Sequence, residues 1–173
     1  LHDALPIYFY PEAARQEWIL TNPMSGLKIP QPVRSPVQIL TVKQMKQLMN
    51  LPDLNTARGI RDRTLLELFY SCGFRLSEVT HLTPYNFSED YRRVKVKGKG
   101  GKQAVLPVGR MAAHFTRFYT ERIRPVLNTT GSDRLFLSVT TGAPLGCHVI
   151  YNSLREYLKI IVPERTIGTH IFR

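Results

Sequence analysis

A proline-rich stretch from residue 23 to residue 38 divides this chain in two. It contains Pro23, Pro30, Pro32 and Pro36. Proline lacks a backbone N–H and has a fixed φ angle, so prolines at this density exclude a helix or a central strand. The stretch is therefore predicted to be an extended linker over residues 23–38. Residues 1–22 are predicted to be the end of an upstream helical domain, and residues 39–173 to form a second domain.

Helical patterns dominate on both sides of the linker. Before it, residues 8–20 predict one amphipathic helix with Trp18 on its apolar side, whereas residues 1–7 fit nothing downstream and are not assigned to the fold. After it, Thr41 with Gln44 predicts a capping box at the start of a helix. Further helices are predicted over residues 56–71, ending at Gly73, and over 76–82, 111–123 and 149–161.

Only two short segments favour β structure. The sequence VKVKGKGGKQAVLPV, residues 94–108, alternates polar and apolar residues around a glycine-rich turn, which predicts a β-hairpin with one polar face. LFLS at 135–138 predicts a short strand. The fold class is therefore mainly α with a small β-hairpin or sheet (α+β).

The charge of the chain favours a polyanionic partner. It has 24 Lys and Arg against 13 Asp and Glu, a formal net charge of +11. Such an excess repels itself in a folded domain and is typical of proteins that bind nucleic acid, although a merely basic protein is the alternative. Cys72 and Cys147 have no metal-ligand spacing and indicate a reducing compartment without zinc or a disulfide framework. No apolar run reaches the ~18 residues of a membrane span.

Four basic or titratable residues form the candidate site. Arg75 lies in GFRLSE at a loop-to-helix junction, and Lys99 lies in the glycine-rich turn of the predicted hairpin. His170 and Arg173 are three residues apart, on one face of a predicted helical turn. Taken singly, each has an ordinary alternative: Arg75 paired with Glu78 at the surface, a solvated turn lysine, and a polar helix surface.

Together these residues fit phosphodiester transfer. Two guanidinium groups can clamp the non-bridging oxygens, a lysine can protonate the leaving oxygen, and a histidine can bind the same phosphate or move the nucleophile's proton. The sequence has no P-loop, no GxGxxG motif and no paired-carboxylate motif of metal-dependent nucleases.

Three segments resemble tyrosine recombinases, the phage integrase and Xer-like family. RDRTLLELFYSCGFRLSEVTHL is similar to the segment around the family's first arginine, VKVKGKGGKQAVLPV to its hairpin, and GTHIFR to its His-x-x-Arg box. WILTNP before the linker resembles the end of the family's core-binding (SAM-like) domain. The resemblance implies the family's catalytic fold for residues 39–173, incomplete at the C-terminus.

The resemblance also implies roles for particular residues. Arg75 and Arg173 match the phosphate-clamping arginines, Lys99 the general acid, and His170 the histidine of the box. Glu78 matches an acidic residue that supports the first arginine. Because the basic excess is spread along the chain, further basic residues are expected to bind DNA backbone phosphates, among them Lys43, Lys95, Lys97 and Lys102.

For the complete protein, the resemblance implies site-specific DNA recombination or integration. A tyrosine forms a 3′-phosphotyrosyl intermediate, so no ATP, metal or other cofactor is expected. The expected partner is double-stranded DNA with paired half-sites, bound by a homo- or hetero-tetramer, in a prokaryotic cytoplasm at the nucleoid and not at a membrane. The nucleophilic tyrosine is expected beyond Arg173, so this chain is expected to bind DNA without cleaving it.

Three alternatives remain open at this point. The first is a non-catalytic DNA-binding protein on the same fold, and the second is an RNA-binding or otherwise basic protein. The third is a type IB topoisomerase, which shares the chemistry, although the short spacing between the segments favours a recombinase.

Overall fold

The structure, a computed structural model, describes residues 5–26, 39–97 and 103–163. The chain divides into two compact units, Leu1–Pro36 and Val37–Arg173. The interpretation of the first unit as the end of an upstream domain stays a prediction. None of the helices in the described ranges is both long and apolar enough to span a membrane.

The first unit contains helix α1, Leu5–Arg15, which ends earlier than predicted. Glu17 adopts a left-handed conformation with φ 58°. The N–H groups of Glu17 and Trp18 then bond the carbonyl oxygens of Ala14 and Ala13, at 3.2 and 2.9 Å, which is a Schellman ending. The prediction of a helix to residue 20 with Trp18 on its apolar side is therefore wrong, and Trp18 is exposed. The sequence does not signal this ending, because Glu17 occupies the left-handed position after the helix, which usually carries glycine.

In its described residues the second unit is mainly helical, with one two-stranded antiparallel sheet, and this confirms the predicted fold class. Its elements in chain order are α2 (Val42–Met49), α3 (Ala57–Cys72), α4 (Leu76–Thr80), a 3₁₀ turn (Pro84–Asn86), β1 (Arg93–Lys97), β2 (Gln103–Pro107), α5 (Arg110–Phe118), a π-helical turn (Tyr119–Ile123), α6 (Arg124–Leu127) and α7 (Cys147–Ile161).

Local capping signals set the helix ends that the sequence predicts. The Gln44 N–H donates to Thr41 Oγ1 at 3.2 Å, and the Thr41 N–H donates to Gln44 Oε1 at 3.0 Å, which confirms the capping box of α2. Thr56 caps α3 by accepting from the Gly59 N–H at 3.0 Å. At the other end of α3, Gly73 has φ 61°, a left-handed conformation that costs glycine little.

The helix predicted over residues 111–123 is interrupted. A π-helical turn occupies Tyr119–Ile123, between α5 and α6. Pro125 follows within α6 and has no N–H to donate to the carbonyl oxygen of residue 121. A regular α-helical ladder cannot continue through this point, and the wider turn accommodates the loss.

The strand predicted at 135–138 is wrong. The described chain has only an isolated bridge there, between Leu137 and Pro144. Side chains satisfy the backbone of Leu137 itself: its N–H donates to Tyr119 Oη at 3.2 Å, and Arg61 Nη1 donates to its carbonyl oxygen at 3.3 Å. The apolar residues are buried as the pattern suggested, but the segment packs as an irregular core loop.

Helix α3 lies at the centre of the core. Leu65, Leu66, Leu68 and Phe69 are all fully buried, so apolar residues surround much of its circumference. A helix buried on several sides contacts several elements at once, and α3 packs against α2, α5 and α7.

Buried charges on α3 bind it to its neighbours. The carboxylate of Asp62 is fully buried and accepts from Arg61 Nε at 2.9 Å and from Tyr157 Oη of α7 at 3.1 Å. Burial, reinforced by the Asp62 carboxylate, raises the pKa of Tyr157 to about 12, so its hydroxyl remains a donor at neutral pH. Arg63 pairs with Glu67, donates to the Met49 carbonyl oxygen of α2, and stacks over the Phe115 ring of α5.

Removing the Asp62 carboxylate should destabilise the fold strongly. Asp62→Ala leaves the buried Arg61 guanidinium without its anion and the Tyr157 hydroxyl without its acceptor. We expect a loss of about 3–5 kcal/mol in the free energy of unfolding, measured by urea denaturation. The control is Glu121→Ala, which breaks the exposed pair with Arg117 at 3.9 Å and should cost less than about 1 kcal/mol. Equal effects of the two substitutions would contradict this account.

The last turn of α3 also contacts the end of the hairpin. Cys72 Sγ lies 3.6 Å from the carbonyl oxygen of Pro107, the last residue of β2. Burial raises the pKa of the Cys72 thiol to about 11, which outweighs the opposing effect of a hydrogen bond with Ser71. The thiolate is therefore scarce at neutral pH.

This packing predicts unequal thiol reactivity. Because the thiolate is the nucleophile, we expect Cys72 to react with iodoacetamide at least about tenfold more slowly than the exposed Cys147 at neutral pH. Mass spectrometry of time points distinguishes the two sites. Cys147→Ser should remove the fast phase and Cys72→Ser the slow one. Equal rates at both thiols would show that Cys72 is not packed against the hairpin.

Candidate functional site

Arg75 lies where α3 ends and α4 begins. The left-handed Gly73 turns the chain, and Phe74 inserts its side chain into the core with 3% exposure. Arg75 then occupies the N-cap position of α4 in an extended conformation. A buried anchor on one side and a helix on the other hold its backbone in place.

Glu78 holds the Arg75 side chain as well as its backbone. One carboxylate oxygen accepts from the Arg75 N–H at 2.7 Å, and the other accepts from Nη1 of the guanidinium at 2.8 Å. The Glu78 side chain is only 15% exposed, whereas that of Arg75 is 55% exposed. Toward the described residues, Nε and Nη2 of Arg75 make no hydrogen bond, so the guanidinium is oriented and still has donors for a ligand.

The predicted β-hairpin is present. Strands β1 and β2 pair antiparallel in a register that sets Val94 opposite Leu106 and Lys97 opposite Gln103. Val94 is fully buried, and Phe87 forms a bridge to it on the other edge of β1. Because side chains alternate along a strand, Lys95 and Lys97 share the opposite, exposed face, as the sequence predicted.

The hairpin and the Arg75 loop are fastened to the same turn of α3. Ser71 Oγ accepts from the N–H of Gly109, two residues after β2, at 2.7 Å. Together with the contact between Cys72 and Pro107, this bond fixes the end of the hairpin to residues three and four positions before Arg75. The two predicted parts of the site therefore lie on one support.

A cleft of about 510 Å³ lies between α4 and the hairpin. Glu78 is part of the wall of this cleft. Arg75 is not among the lining residues but forms a salt bridge with Glu78. The opposite wall carries two ammonium groups, which makes the cleft suitable for an anion. The lining residues are Ser77, Glu78, His81, Leu82, Asn86, Lys95, Val96, Lys97 and Gln103.

The structure brings some of the predicted site residues together and leaves others apart. Arg75 and Glu78 are in contact, and Lys95 and Lys97 share the cleft with Glu78. Lys43 is exposed on α2 and is not among the residues that line the cleft. The predicted positions Lys99, Lys102, His170 and Arg173 lie outside the described residues.

His81 is a cleft residue that sequence reasoning missed. Its Nδ1 is 2.7 Å from the carbonyl oxygen of Ser77, one turn back in α4. The available signal was its spacing of six residues from Arg75, on the helix that Arg75 begins.

As for metals, no group of three or more acidic, histidine or cysteine side chains within 5–26, 39–97 and 103–163 could hold an ion.

Comparison with known proteins adds to this geometry. The model of the phage integrase family matches residues 38–173. Tyrosine recombinase XerD from Staphylococcus aureus (strain Mu50 / ATCC 700699) is 32% identical over 166 residues, which cover 95% of this chain and 56% of that protein. XerD from Chlorobaculum tepidum is 32% identical over 156 residues, 88% of this chain and 51% of that protein. The chain thus spans about half the length of the curated relatives it matches.

Solved structures share the fold at lower identity. The crystal structure of XerA recombinase matches with a TM-score of 0.65 and 18% identity, over 84% of this chain and 51% of that one. The Tn1549 transposon integrase, solved with circular intermediate DNA, matches with a TM-score of 0.66 and 16% identity, over 98% and 61%. The match to the family model extends over most of the chain, from the segment before α2 through the Arg75 loop and the hairpin. By this match and by its identity to the XerD proteins, the chain belongs to the phage integrase family.

Proposed function

We propose that the complete gene product is a site-specific DNA recombinase. A tyrosine oxygen attacks the scissile phosphorus, the bond to the 5′ oxygen breaks, and a 3′-phosphotyrosyl link forms. A second 5′ hydroxyl then attacks this link and reseals the strand. The phosphotyrosyl bond conserves the energy of the broken bond, so the reaction needs no ATP.

The observation that carries the proposal is the arrangement of Arg75 and Glu78 beside a cationic cleft. A surface arginine paired with a glutamate is common, but this glutamate is mostly buried and binds the Arg75 backbone as well as its guanidinium. The pair therefore orients the guanidinium, and Glu78 shares the wall of the cleft with Lys95 and Lys97. Such preorganised donors suit the charge that develops on a phosphate in the transition state.

The remaining roles are proposed from the family resemblance. Arg75 and Arg173 clamp the non-bridging oxygens, and Lys99 donates a proton to the leaving 5′ oxygen. His170 binds the phosphate or handles the proton of the nucleophile. Lys43, Lys95, Lys97 and Lys102 bind backbone phosphates.

The proposal extends to the assembled complex. The relatives with solved complexes are described with DNA, among them XerH bound to a palindromic difH substrate. We propose that this protein also binds paired half-sites, as a homo- or hetero-tetramer, and that it is cytoplasmic and associated with the nucleoid. A tetramer brings together the four strands that recombination must exchange.

DNA binding by this chain should depend strongly on salt. Each phosphate neutralised by a lysine or arginine releases counterions, so log K should fall with log salt at about −0.9 per contact. Fluorescence anisotropy with a labelled duplex over a range of salt concentrations measures the slope. Lys95→Gln and Lys97→Gln should each make the slope shallower by about 0.9.

The matched control is Lys159→Gln, which removes an exposed lysine of α7 that is not part of the cleft. This substitution should leave the slope unchanged. A flat salt response of the parent chain would overturn the proposal of DNA binding, and an equal effect of all three substitutions would overturn the role of the cleft.

Arg75→Lys should abolish most strand cleavage by the complete gene product. Lysine keeps the charge but cannot form the planar fork that both Glu78 and a phosphate engage. We expect formation of the covalent DNA adduct on a nicked suicide substrate to slow by about 100-fold or more. Denaturing gels of the reaction measure the adduct, and DNA affinity should stay nearly unchanged.

The control for this experiment is Arg155→Lys, the same substitution at an exposed arginine of α7. It should leave the rate of adduct formation unchanged. If the parent protein binds DNA yet forms no adduct, the alternative of a non-catalytic DNA-binding protein on this fold is correct. If Arg75→Lys cleaves at the parent rate, Arg75 is not a clamp.

A further inference from the structure

We propose that His81 is a further ligand for a DNA phosphate in the cleft, and that it takes up a proton when the phosphate binds. This inference rests on the proposed function, because it assumes that DNA occupies the cleft between α4 and the hairpin. It assigns a role to a residue outside the clamp arginines, the hairpin lysines and the His-x-x-Arg box.

The position of His81 is fixed by its backbone. It is the C-cap residue of α4, and its N–H bonds the carbonyl oxygens of Glu78 and Val79. Its own carbonyl oxygen accepts from Arg134 Nη1 at 3.0 Å. The side chain is exposed and forms part of the cleft wall. A phosphate in the cleft is therefore within reach of the ring.

The hydrogen bond of the ring determines its tautomer. Nδ1 lies 2.7 Å from the carbonyl oxygen of Ser77, which can only accept, so Nδ1 carries the hydrogen. Thr80 Oγ1 donates to the same carbonyl oxygen at 2.9 Å and lies 3.2 Å from Nδ1. In the neutral ring Nε2 then has a lone pair and no hydrogen.

This tautomer cannot bind a phosphate oxygen directly. Phosphate oxygens of a DNA backbone accept hydrogen bonds, and an unprotonated Nε2 also only accepts. Protonation turns Nε2 into a cationic donor, which can form a charge-assisted bond to the phosphate. Binding through His81 therefore requires proton uptake.

Some of the charged groups around the His81 ring stabilise its protonated form, and others destabilise it. Glu78 of α4 attracts a cationic ring, whereas Lys95 and Lys97 of the hairpin and Arg134 before the core loop repel it. From α7, Cys147 Sγ lies 3.7 Å from Thr80 Oγ1, next to His81 in the chain. A phosphate placed among these cations adds negative charge beside His81 and so favours the protonated ring in the complex.

The test compares duplex DNA binding of the parent chain and His81→Gln at about pH 6 and about pH 8. At the lower pH the parent should bind the duplex about tenfold more tightly than His81→Gln does, which is the effect of one charge-assisted hydrogen bond. At the higher pH the two proteins should bind with equal affinity. The salt slope of the parent should exceed that of the variant by about 0.9 at the lower pH and match it at the higher pH. Labelled mixed-sequence duplex and anisotropy provide both quantities.

Two further variants make the result decisive. His114→Gln removes another exposed histidine, on α5 and outside the cleft, and should behave like the parent. His81→Arg supplies a permanent cationic donor and should bind at the higher pH as tightly as the parent does at the lower pH. This gain cannot come from a folding defect.

The outcomes separate the possible failures. If His81→Gln weakens binding by the same factor at both pH values, or keeps the parent's pH dependence, the proposal for His81 is wrong while DNA binding stands. If the parent itself shows no salt-dependent binding at either pH, both this inference and the proposed function are overturned.

Discussion

The fold depends on one buried carboxylate, that of Asp62, and on the groups that neutralise it. A fully buried carboxylate is costly unless it is paired and hydrogen-bonded, and here Arg61 and the Tyr157 hydroxyl provide both. Arg61 also donates to the carbonyl oxygen of Leu137. The pair of Asp62 and Arg61 therefore binds α3 both to α7, through Tyr157, and to the core loop. These bonds require particular distances and angles, which apolar contacts alone do not. They restrict how α3 can rotate, and α3 supports the candidate site at its C-terminal end.

The candidate site inherits its geometry from the last turn of α3. Arg75 follows directly from this turn through a left-handed glycine and the buried Phe74, and the hairpin returns to the same turn through Ser71 and Cys72. Residues more than 20 positions apart in sequence thus share one rigid base. The proposed function requires such a base, because donors that are positioned before the reaction stabilise the charge that develops on a phosphate.

Features with local causes were predictable from the sequence, and features that depend on distant side chains were not. The capping box at Thr41, the glycine stop at Gly73 and the pairing of β1 with β2 all follow from patterns of neighbouring residues. The irregular segment around Leu137 could not be foreseen, because the N–H and carbonyl oxygen of Leu137 bond side chains of the π-helical turn and of α3. Family resemblance predicted roles for Arg75 and Glu78, but the tautomer of His81 depends on a carbonyl oxygen that only the folded α4 brings near.

The chain uses separate sets of charges for folding and for its cleft. Acidic residues near α3 and α7 are engaged with arginines: Asp62 with Arg61 and Arg58, Glu67 with Arg63, and Glu156 with Arg58. Glu78 is the acidic residue in the cleft wall, and it is already bonded to Arg75. Within the described ranges, Lys95 and Lys97 therefore have no acidic partner in an ion pair. Because opposite charge inside the protein would have to be displaced before DNA could bind, this separation leaves the positive charge of the cleft available to a phosphate. Two lysines of the basic excess thus line the cleft, while the buried carboxylate of Asp62 is matched by Arg61.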